Sequence, residues 1–259
     1  MRQVGALGLG GIVVAAGLAA TTLVGPAVAD PLPGGTGPSP LASDARTRAG
    51  TVANLKPRLV DKPIPFGHKR KRQMGFYSKR HYGHRASRLR SPRVIVEHYT
   101  DGPSMLSAWW TMANNTKNLG ERPGVCTHFI VDTDGRIYRV VPLSLRCRHT
   151  IGLNHTAVGI EHVGSSDRQV MRNDRQRRAS MRLTLWLMAK FDIPVRNVIG
   201  HGESLLSPLR TEAYPSWKCL THTDFSHRTM RRYRDRLRDR AHAQGVRAGP
   251  RPAWVDIGC

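Results

Sequence analysis

The sequence has few acidic residues and no closely spaced pair of cysteines. Its 259 residues include 18 Asp and Glu against 41 Lys and Arg, which gives a formal net charge of +23. This imbalance indicates a polyanionic partner. The 4 cysteines form no Cys-x-x-Cys pair, so a structural zinc site built from thiolates is not expected. No internal repeat is visible.

Residues 1–29 have the features of a secretory signal peptide. Arg2 supplies a positive charge, residues 4–24 are apolar and rich in Gly and Ala, and Ala27-Val28-Ala29 is a cleavage signal. The alternative is a membrane anchor, since the apolar run is near the lower length limit for a span. The small-residue cleavage site and the absence of a basic stop-transfer flank favour cleavage. We expect a secreted protein with no membrane segment after cleavage.

Export places the four cysteines in an oxidising compartment, where up to two disulfides can form. All three pairings of Cys126, Cys147, Cys219 and Cys259 are open. Cys126 and Cys147 flank a predicted hairpin and could meet across its base.

Much of the positive charge lies in residues 30–92, which include Lys69-Arg70-Lys71-Arg72. A segment with so little apolar surface predicts a disordered or loosely packed basic arm. The alternative is a solvated linker without a partner. The arm lacks a zinc-finger, helix-turn-helix or RNA-recognition signature, and export removes the usual targets, so no nucleic-acid partner is expected.

Residues 93–243 predict one α/β domain, followed by a C-terminal tail at 244–259. Asp134-Gly135 predicts a tight turn between two antiparallel strands within 128–141. The period of the apolar residues predicts the other elements. These are strands at 94–98, 157–163 and 195–200 and helices at 104–115, at 174–191 and from about 225. Helices separated by strands, with one hairpin, predict a mixed central β-sheet flanked by helices.

Three apolar runs end in side chains that bind metals or transfer protons. His98 ends the first, Glu161 lies in the second, and His201 follows the third, with His222 and Asp224 further along the chain. A buried strand gives a side chain at its end a defined direction. A catalytic zinc needs three protein ligands and one open position, and mixed His and carboxylate sets are common. The pattern predicts a metallohydrolase site with His98 and His201 as its first ligands.

Several of these stretches together resemble a known family. Cys126-Thr127-His128-Phe129 and the hairpin to Pro142, then His149, Asn154 and Val158-Gly159-Ile160-Glu161, resemble the core of the zinc-dependent N-acetylmuramoyl-L-alanine amidases. That family shares its fold with peptidoglycan recognition proteins. The resemblance covers residues 94–237 and implies a zinc hydrolase that cleaves the amide bond between N-acetylmuramic acid and L-alanine in bacterial peptidoglycan. The alternative is a non-catalytic peptidoglycan-binding module, which the presence of all the candidate ligands disfavours.

The resemblance also implies roles for individual residues. Asp224 matches the third ligand position, although it could instead cap the last helix. Glu161 is expected to be the general base, with a pKa raised by its apolar setting; an ion pair with an arginine is the alternative. His222 stands where the family often has a Lys, so it could stabilise the oxyanion of the tetrahedral intermediate. It could also bind the zinc itself, with Asp224 behind it.

The remaining expectations concern the substrate groove and the cell wall. His128, His149 and Asn154 match positions that line the groove and are candidate substrate-binding residues. His128 and His149 are expected to contact either the substrate or the groups behind the site, and Asn154 is expected to help shape the groove. The chain between His201 and Asp224 is longer than the family pattern, so residues 204–219 are expected to form an inserted loop beside the site and a wall for the glycopeptide. Anionic wall polymers are expected to attract the basic arm and to hold the protein at the cell wall.

Overall fold

The computed structural model describes residues 40–255 and 258–259. The predicted signal peptide and the first part of the predicted arm lie outside these residues. None of the described helices is long and apolar enough to cross a membrane.

The described residues form six helices and six strands, with short 3-10 turns at Val195–Asn197, His201–Leu206 and Pro215–Trp217. The helices are α1 (Pro40–Leu55), α2 (His68–Tyr82), α3 (Met105–Ala113), α4 (Asp167–Arg172), α5 (Asp174–Phe191) and α6 (His227–Ala243). The strands are β1 (Val60–Asp61), β2 (Val94–Tyr99), β3 (Phe129–Val131), β4 (Ile137–Arg139), β5 (Ala157–His162) and β6 (Val198–Gly200).

All six strands belong to one sheet, in the order β1-β4-β3-β5-β2-β6. Only β3 and β4 pair antiparallel, around the predicted Asp134-Gly135 turn, and the other neighbours are parallel. Helices cover both faces, so the predicted mixed sheet flanked by helices is confirmed. Alternate strand residues point to opposite faces: Phe129 and Val131 join the cluster with α5 and α6, whereas Ile130 packs with Met112 of α3.

The predicted disordered arm is wrong for residues 55–92. Met74 and Tyr77 of α2 are almost fully buried, and β1 pairs with β4 at the edge of the sheet. The buried Arg70 donates to the carbonyl oxygens of Met112 (2.7 Å) and Gly124 (3.2 Å). The average composition of this segment did not predict these contacts. A few apolar residues and a guanidinium that donates to backbone carbonyls are enough to pack a basic helix.

The predicted loop at residues 204–219 packs on α2 and does not line the substrate groove. His81 Nδ1 lies 2.7 Å from Glu212 Oε1, and the ring of Trp217 lies 4.6 Å from the ring of His81. None of its residues lines the cavity that contains the candidate site, so the expectation that this loop forms a wall for the glycopeptide is wrong. Its aromatic and charged residues stabilise the contact with α2 instead.

Two disulfides connect the cysteines, Cys126 to Cys147 and Cys219 to Cys259. The pairing across the base of the hairpin is confirmed, and the second disulfide attaches the end of the predicted tail to the loop before α6. Trp254 of the same tail packs against a cluster with Val94 and Ile199. The tail is therefore part of the folded domain.

Candidate metal centre and its groove

Neighbouring parallel strands bring the predicted site residues to one edge of the sheet. His98 near the end of β2 is paired in register with Glu161 of β5, and His201 directly follows β6. Because the strands run in parallel, their carboxyl ends meet at the same edge. The three apolar runs therefore deliver their polar side chains to one place.

Asp224 reaches this edge from the loop before α6. Its Oδ2 lies 3.1 Å from His98 Nδ1, and its Oδ1 lies 3.2 Å from His201 Nδ1. The loop can approach because residue 200 is glycine: a Cβ there would lie 1.9 Å from the carbonyl oxygen of Phe225. Asp224 does not cap α6, since the side chain of Ser226 accepts the capping hydrogen bond from Thr229.

The donor set fits a catalytic zinc ion. The potential ligand atoms of His98, His201 and Asp224 all lie within 4.8 Å of one another, the one such group of three among the described residues. Two imidazoles and one carboxylate are a usual ligand set for catalytic zinc.

The charges around these atoms also favour a cation. Burial would raise the pKa of Asp224, but its hydrogen bonds with His201 and His98 hold the pKa well below its usual value. Burial lowers the pKa of His98, yet the hydrogen bond with Asp224 and the charge of Glu161 outweigh it and leave that pKa raised. Burial lowers the pKa of His201 to about 4. The site therefore presents an ionised carboxylate and a neutral His201 imidazole, the forms that bind metals, and His98 must release its proton to bind the same ion.

The second ring nitrogen of His98, Nε2, contacts residues for which the sequence predicted another role or no role. His98 Nε2 lies 3.1 Å from His149 Nδ1 and 3.3 Å from Thr150 Oγ1. The backbone N–H groups of His149 and Thr150 each donate to Asn154 Oδ1 at 2.8 Å. Asn154 is fully buried and donates to Tyr77 Oη of α2, so it shapes the groove from behind. The expectation that Asn154 shapes the groove is confirmed, and its complete burial excludes the direct substrate contact that was also expected.

His128 is also a structural residue. Its side chain is fully buried, its Nδ1 accepts from the Gly159 N–H at 3.0 Å, and its Nε2 donates to the Leu145 carbonyl at 3.0 Å. With both ring nitrogens bound to the backbone and its ring 5.9 Å from that of His149, His128 has the supporting role of the two that were expected and not the substrate contact. His149 does line the cavity described below, as expected.

Glu161 presents an uncommitted carboxylate to the site. Its Oε2 is buried and has no hydrogen-bond partner among the described residues. No arginine in the described part of the chain pairs with Glu161, so the ion-pair alternative is wrong there. Burial raises the pKa of Glu161 to about 7, although the charge of His98 acts in the opposite direction. A carboxylate with this pKa can take and return a proton near neutral pH.

His222 lies on the solvent side of Asp224. Its side chain is 73% exposed, and its Nδ1 donates to Asp224 Oδ1 at 3.0 Å. Its ring stacks on that of His201 at 5.6 Å. His222 is not part of the group of three ligand atoms.

A cavity of about 420 Å³ opens over these side chains. It contains His98, His201, Asp224, Glu161 and His222 on one side. Its other walls come from residues that the sequence did not single out: Asn118, Leu119, Arg148, Thr150, Ile151 and Leu220. These residues lie in loops, which have no periodic pattern of apolar residues. The one sequence feature that could have identified any of them as lining residues is the position of Arg148 and Thr150 next to His149.

The family model "N-acetylmuramoyl-L-alanine amidase" matches residues 88–219. The matched range contains His98, Glu161 and His201 and ends before Asp224. No curated protein matches the chain.

Several solved structures are similar at low sequence identity. The amidase endolysin LysCS from Clostridium intestinale is 22% identical, with 56% of this chain and 81% of that chain covered and a TM-score of 0.40. The amidase AmiD from E. coli, solved with anhydro-N-acetylmuramic acid-L-Ala-D-gamma-Glu-L-Lys, is 20% identical, with 65% and 61% covered and a TM-score of 0.39. The Drosophila peptidoglycan recognition protein SD is 14% identical, with 57% and 85% covered and a TM-score of 0.41.

Proposed function

The chain belongs to the N-acetylmuramoyl-L-alanine amidase family, and we propose that it is a secreted zinc hydrolase that cleaves the amide bond between N-acetylmuramic acid and L-alanine in peptidoglycan. One observation carries the proposal: three metal-ligand side chains and an unpaired Glu161 carboxylate face the same cavity. A module that only binds peptidoglycan needs neither the ligands nor the base.

His98, His201 and Asp224 would hold the zinc ion. Zinc bound there would supply a Lewis acid able to polarise the scissile carbonyl and to lower the pKa of a water molecule. The disulfides of the domain and the composition of residues 1–29 support a location outside the cell, free in the medium or at the cell wall.

Glu161 is the general base in this proposal. Its unpaired Oε2 accepts a proton from the attacking water, and its raised pKa lets it return that proton to the leaving nitrogen of L-alanine as the C–N bond breaks. Its place on β5, in register with His98, keeps the carboxylate beside the ligands.

His222 is proposed to stabilise negative charge on the carbonyl oxygen. Its Nδ1 is occupied by Asp224, which leaves Nε2 of an exposed ring to donate to a substrate oxygen. His149, whose Nδ1 lies 3.1 Å from His98 Nε2, lines the groove and would contact the substrate.

The direct test is incubation of the purified chain with soluble muropeptides, with and without a chelator, and identification of the products by mass. We expect free stem peptide and peptide-free muramic acid, and loss of both products when the chelator is present. Restoration of activity by added zinc, in preference to Mg²⁺, would support the metal assignment. Tight muropeptide binding with no product in the zinc-loaded protein would identify a binding module instead.

A further inference from the structure

A second cavity, lined mainly by arginine, lies between α4 and α6. It has a volume of about 570 Å³ and shares no lining residue with the candidate active site. Five guanidinium groups line it, two from α4 and three from α6: Arg168, Arg172, Arg228, Arg232 and Arg236. We call this cavity the α4–α6 groove.

The five arginines have no acidic partners among the residues that the structure describes. All five are exposed, and none forms a salt bridge within the described part of the chain. Arg234 of α6 shows the contrast, because it is buried and its guanidinium binds Glu203 with two contacts of 2.6 and 2.8 Å. Like charges four residues apart on a helix repel. The groove therefore carries a repulsion that a bound anion would relieve.

The nearby carboxylates do not neutralise the groove. Asp167 lines it, but its carboxylate accepts hydrogen bonds from the backbone N–H groups of Phe225 (3.1 Å) and Ser226 (3.0 Å). Asp235 and Asp239 of α6 neither line the groove nor pair with an arginine among the described residues. Five positive charges thus face one committed negative charge.

The spacing of the arginines suits a chain of anions better than a single ion. Arg228, Arg232 and Arg236 are four residues apart on α6, which places successive side chains about 6 Å apart along the helix axis. Arg168 and Arg172 repeat this spacing on α4. Guanidinium groups bind phosphate and carboxylate oxygens in a bidentate manner. A phosphodiester polymer carries one anion in every repeat of its backbone, which matches positive charges that follow one another along both helices.

We propose that the α4–α6 groove is a binding site for a cell-wall polymer with repeated phosphodiester groups. The site rests on the proposed location outside the cell and not on the amidase chemistry. The α4–α6 groove shares no lining residue with the active-site cavity. A polymer in the groove would therefore hold the protein to the wall and leave the active-site cavity open.

The test compares two triple variants that remove the same charge. Arg168→Gln/Arg232→Gln/Arg236→Gln neutralises the groove, and Lys69→Gln/Lys71→Gln/Arg72→Gln neutralises exposed residues of α2, the helix within the predicted basic arm. Binding of fluorescent poly(glycerol phosphate) to the full chain is followed by anisotropy over a salt series. All six side chains are exposed and outside the core, and Arg236→Gln alone provides a milder second groove variant.

We expect the groove variant to bind poly(glycerol phosphate) about tenfold more weakly than the unmodified chain, because it loses three exposed ion contacts. The slope of log affinity against log salt concentration should be smaller in magnitude by roughly 2, because the variant makes about three fewer phosphate contacts. The α2 variant should bind within about threefold of the unmodified chain because it leaves the groove contacts intact. Hydrolysis of soluble muropeptides should be unchanged in both variants, and the binding result holds whether or not the chain is an amidase.

Three outcomes would overturn the proposal. Equal losses in both triple variants would show a diffuse charge effect. Competition by polygalacturonate as strong as that by poly(glycerol phosphate) would show a groove without phosphate recognition. Tighter groove-dependent binding of a single-stranded DNA oligonucleotide than of poly(glycerol phosphate) would identify a nucleic-acid site instead.

Discussion

One carboxylate organises the candidate metal centre. Asp224 contacts His98 and His201 through separate oxygens and also accepts from His222 on the solvent side. The two residues that compete for the third ligand position, Asp224 and His222, are therefore hydrogen-bonded to each other. The burial of Asp224 and the 73% exposure of His222 favour Asp224 as the ligand.

Substitution of each residue separates the two roles. Asp224→Ala should lose bound zinc and activity, because two remaining ligands hold a catalytic ion poorly. His222→Ala should retain zinc and lose about 10²- to 10³-fold in turnover, as for the loss of one oxyanion donor. Metal content of the purified variants and their turnover on muropeptides are the measurements. The reverse pattern of metal content would make His222 the ligand.

A second prediction concerns the role of the Glu161 carboxylate as the general base. Glu161→Gln keeps the size of the side chain and removes the base, so zinc content and thermal stability should be retained while turnover falls about 10²- to 10⁴-fold. Asp235→Asn, an exposed carboxylate to amide change on α6, is the matched control and should behave as the unmodified chain. Near-normal turnover of Glu161→Gln would remove it from the role of base.

Among the elements, α2 supports the site from outside the range matched by the family model. Its Tyr77 binds Asn154, which holds the backbone of His149, and its His81 contacts the ring of Trp217 in the 204–219 loop. The guanidinium of Arg148 lies over the rings of Tyr77 and Trp217, at 5.0 and 5.3 Å. The helix therefore joins the loop that carries His149, which lines the cavity, to the 204–219 loop.

Truncation of Trp217 tests this contact. Trp217→Ala removes a ring that is only 7% exposed, so the free energy of unfolding should fall by about 3–5 kcal/mol. Trp110→Ala removes a ring that is 54% exposed, and its cost should stay below about 1 kcal/mol. Urea denaturation of the two variants gives both values. Equal, small losses would show that the loop does not depend on its packing against α2.

At the scale of the whole molecule, the basic N-terminal segment is part of the folded domain. A detachable arm would predict that deletion of residues 56–92 leaves the hydrolysis of soluble muropeptides unchanged. The structure predicts the opposite, because deletion removes β1 from the sheet and exposes the surfaces covered by Met74 and Tyr77.

We therefore expect the deletion to lower the yield of folded protein, its melting temperature and its activity together. The Lys69→Gln/Lys71→Gln/Arg72→Gln variant removes charge without removing the helix and should keep all three. A deleted chain that melts at the temperature of the full chain would show that the segment is dispensable.

The net charge of +23 is a property of the whole molecule that we expect to govern its attachment to anionic cell walls. Exposed charges are screened over about 8 Å at physiological ionic strength and over less at higher salt. Attachment to intact walls should accordingly weaken as salt rises, while the turnover of small soluble muropeptides changes little. Sedimentation of the chain with walls over a salt series measures the first effect, and salt-insensitive attachment would place the affinity in the substrate groove.

The sequence by itself determined five of the six strands of the sheet, all but β1, and the positions of several polar residues at its edge. Strands β2, β5 and β6 and helix α5 follow from local periodicity, and α5 matches its predicted bounds of 174–191. His98, Glu161 and His201 stand at or near the ends of apolar runs, which is a local signal. Their convergence follows because parallel neighbours share one edge.

Only the tertiary structure decided the features that depend on which distant surfaces meet. These include the place of Asp224 beside His98, the burial of His128 and Asn154 and the second disulfide. They also include the packing of α2 and the groove that α4 and α6 form together. The physical reason is the same in each case: composition and period describe one segment at a time, whereas burial and electrostatic pairing belong to pairs of segments.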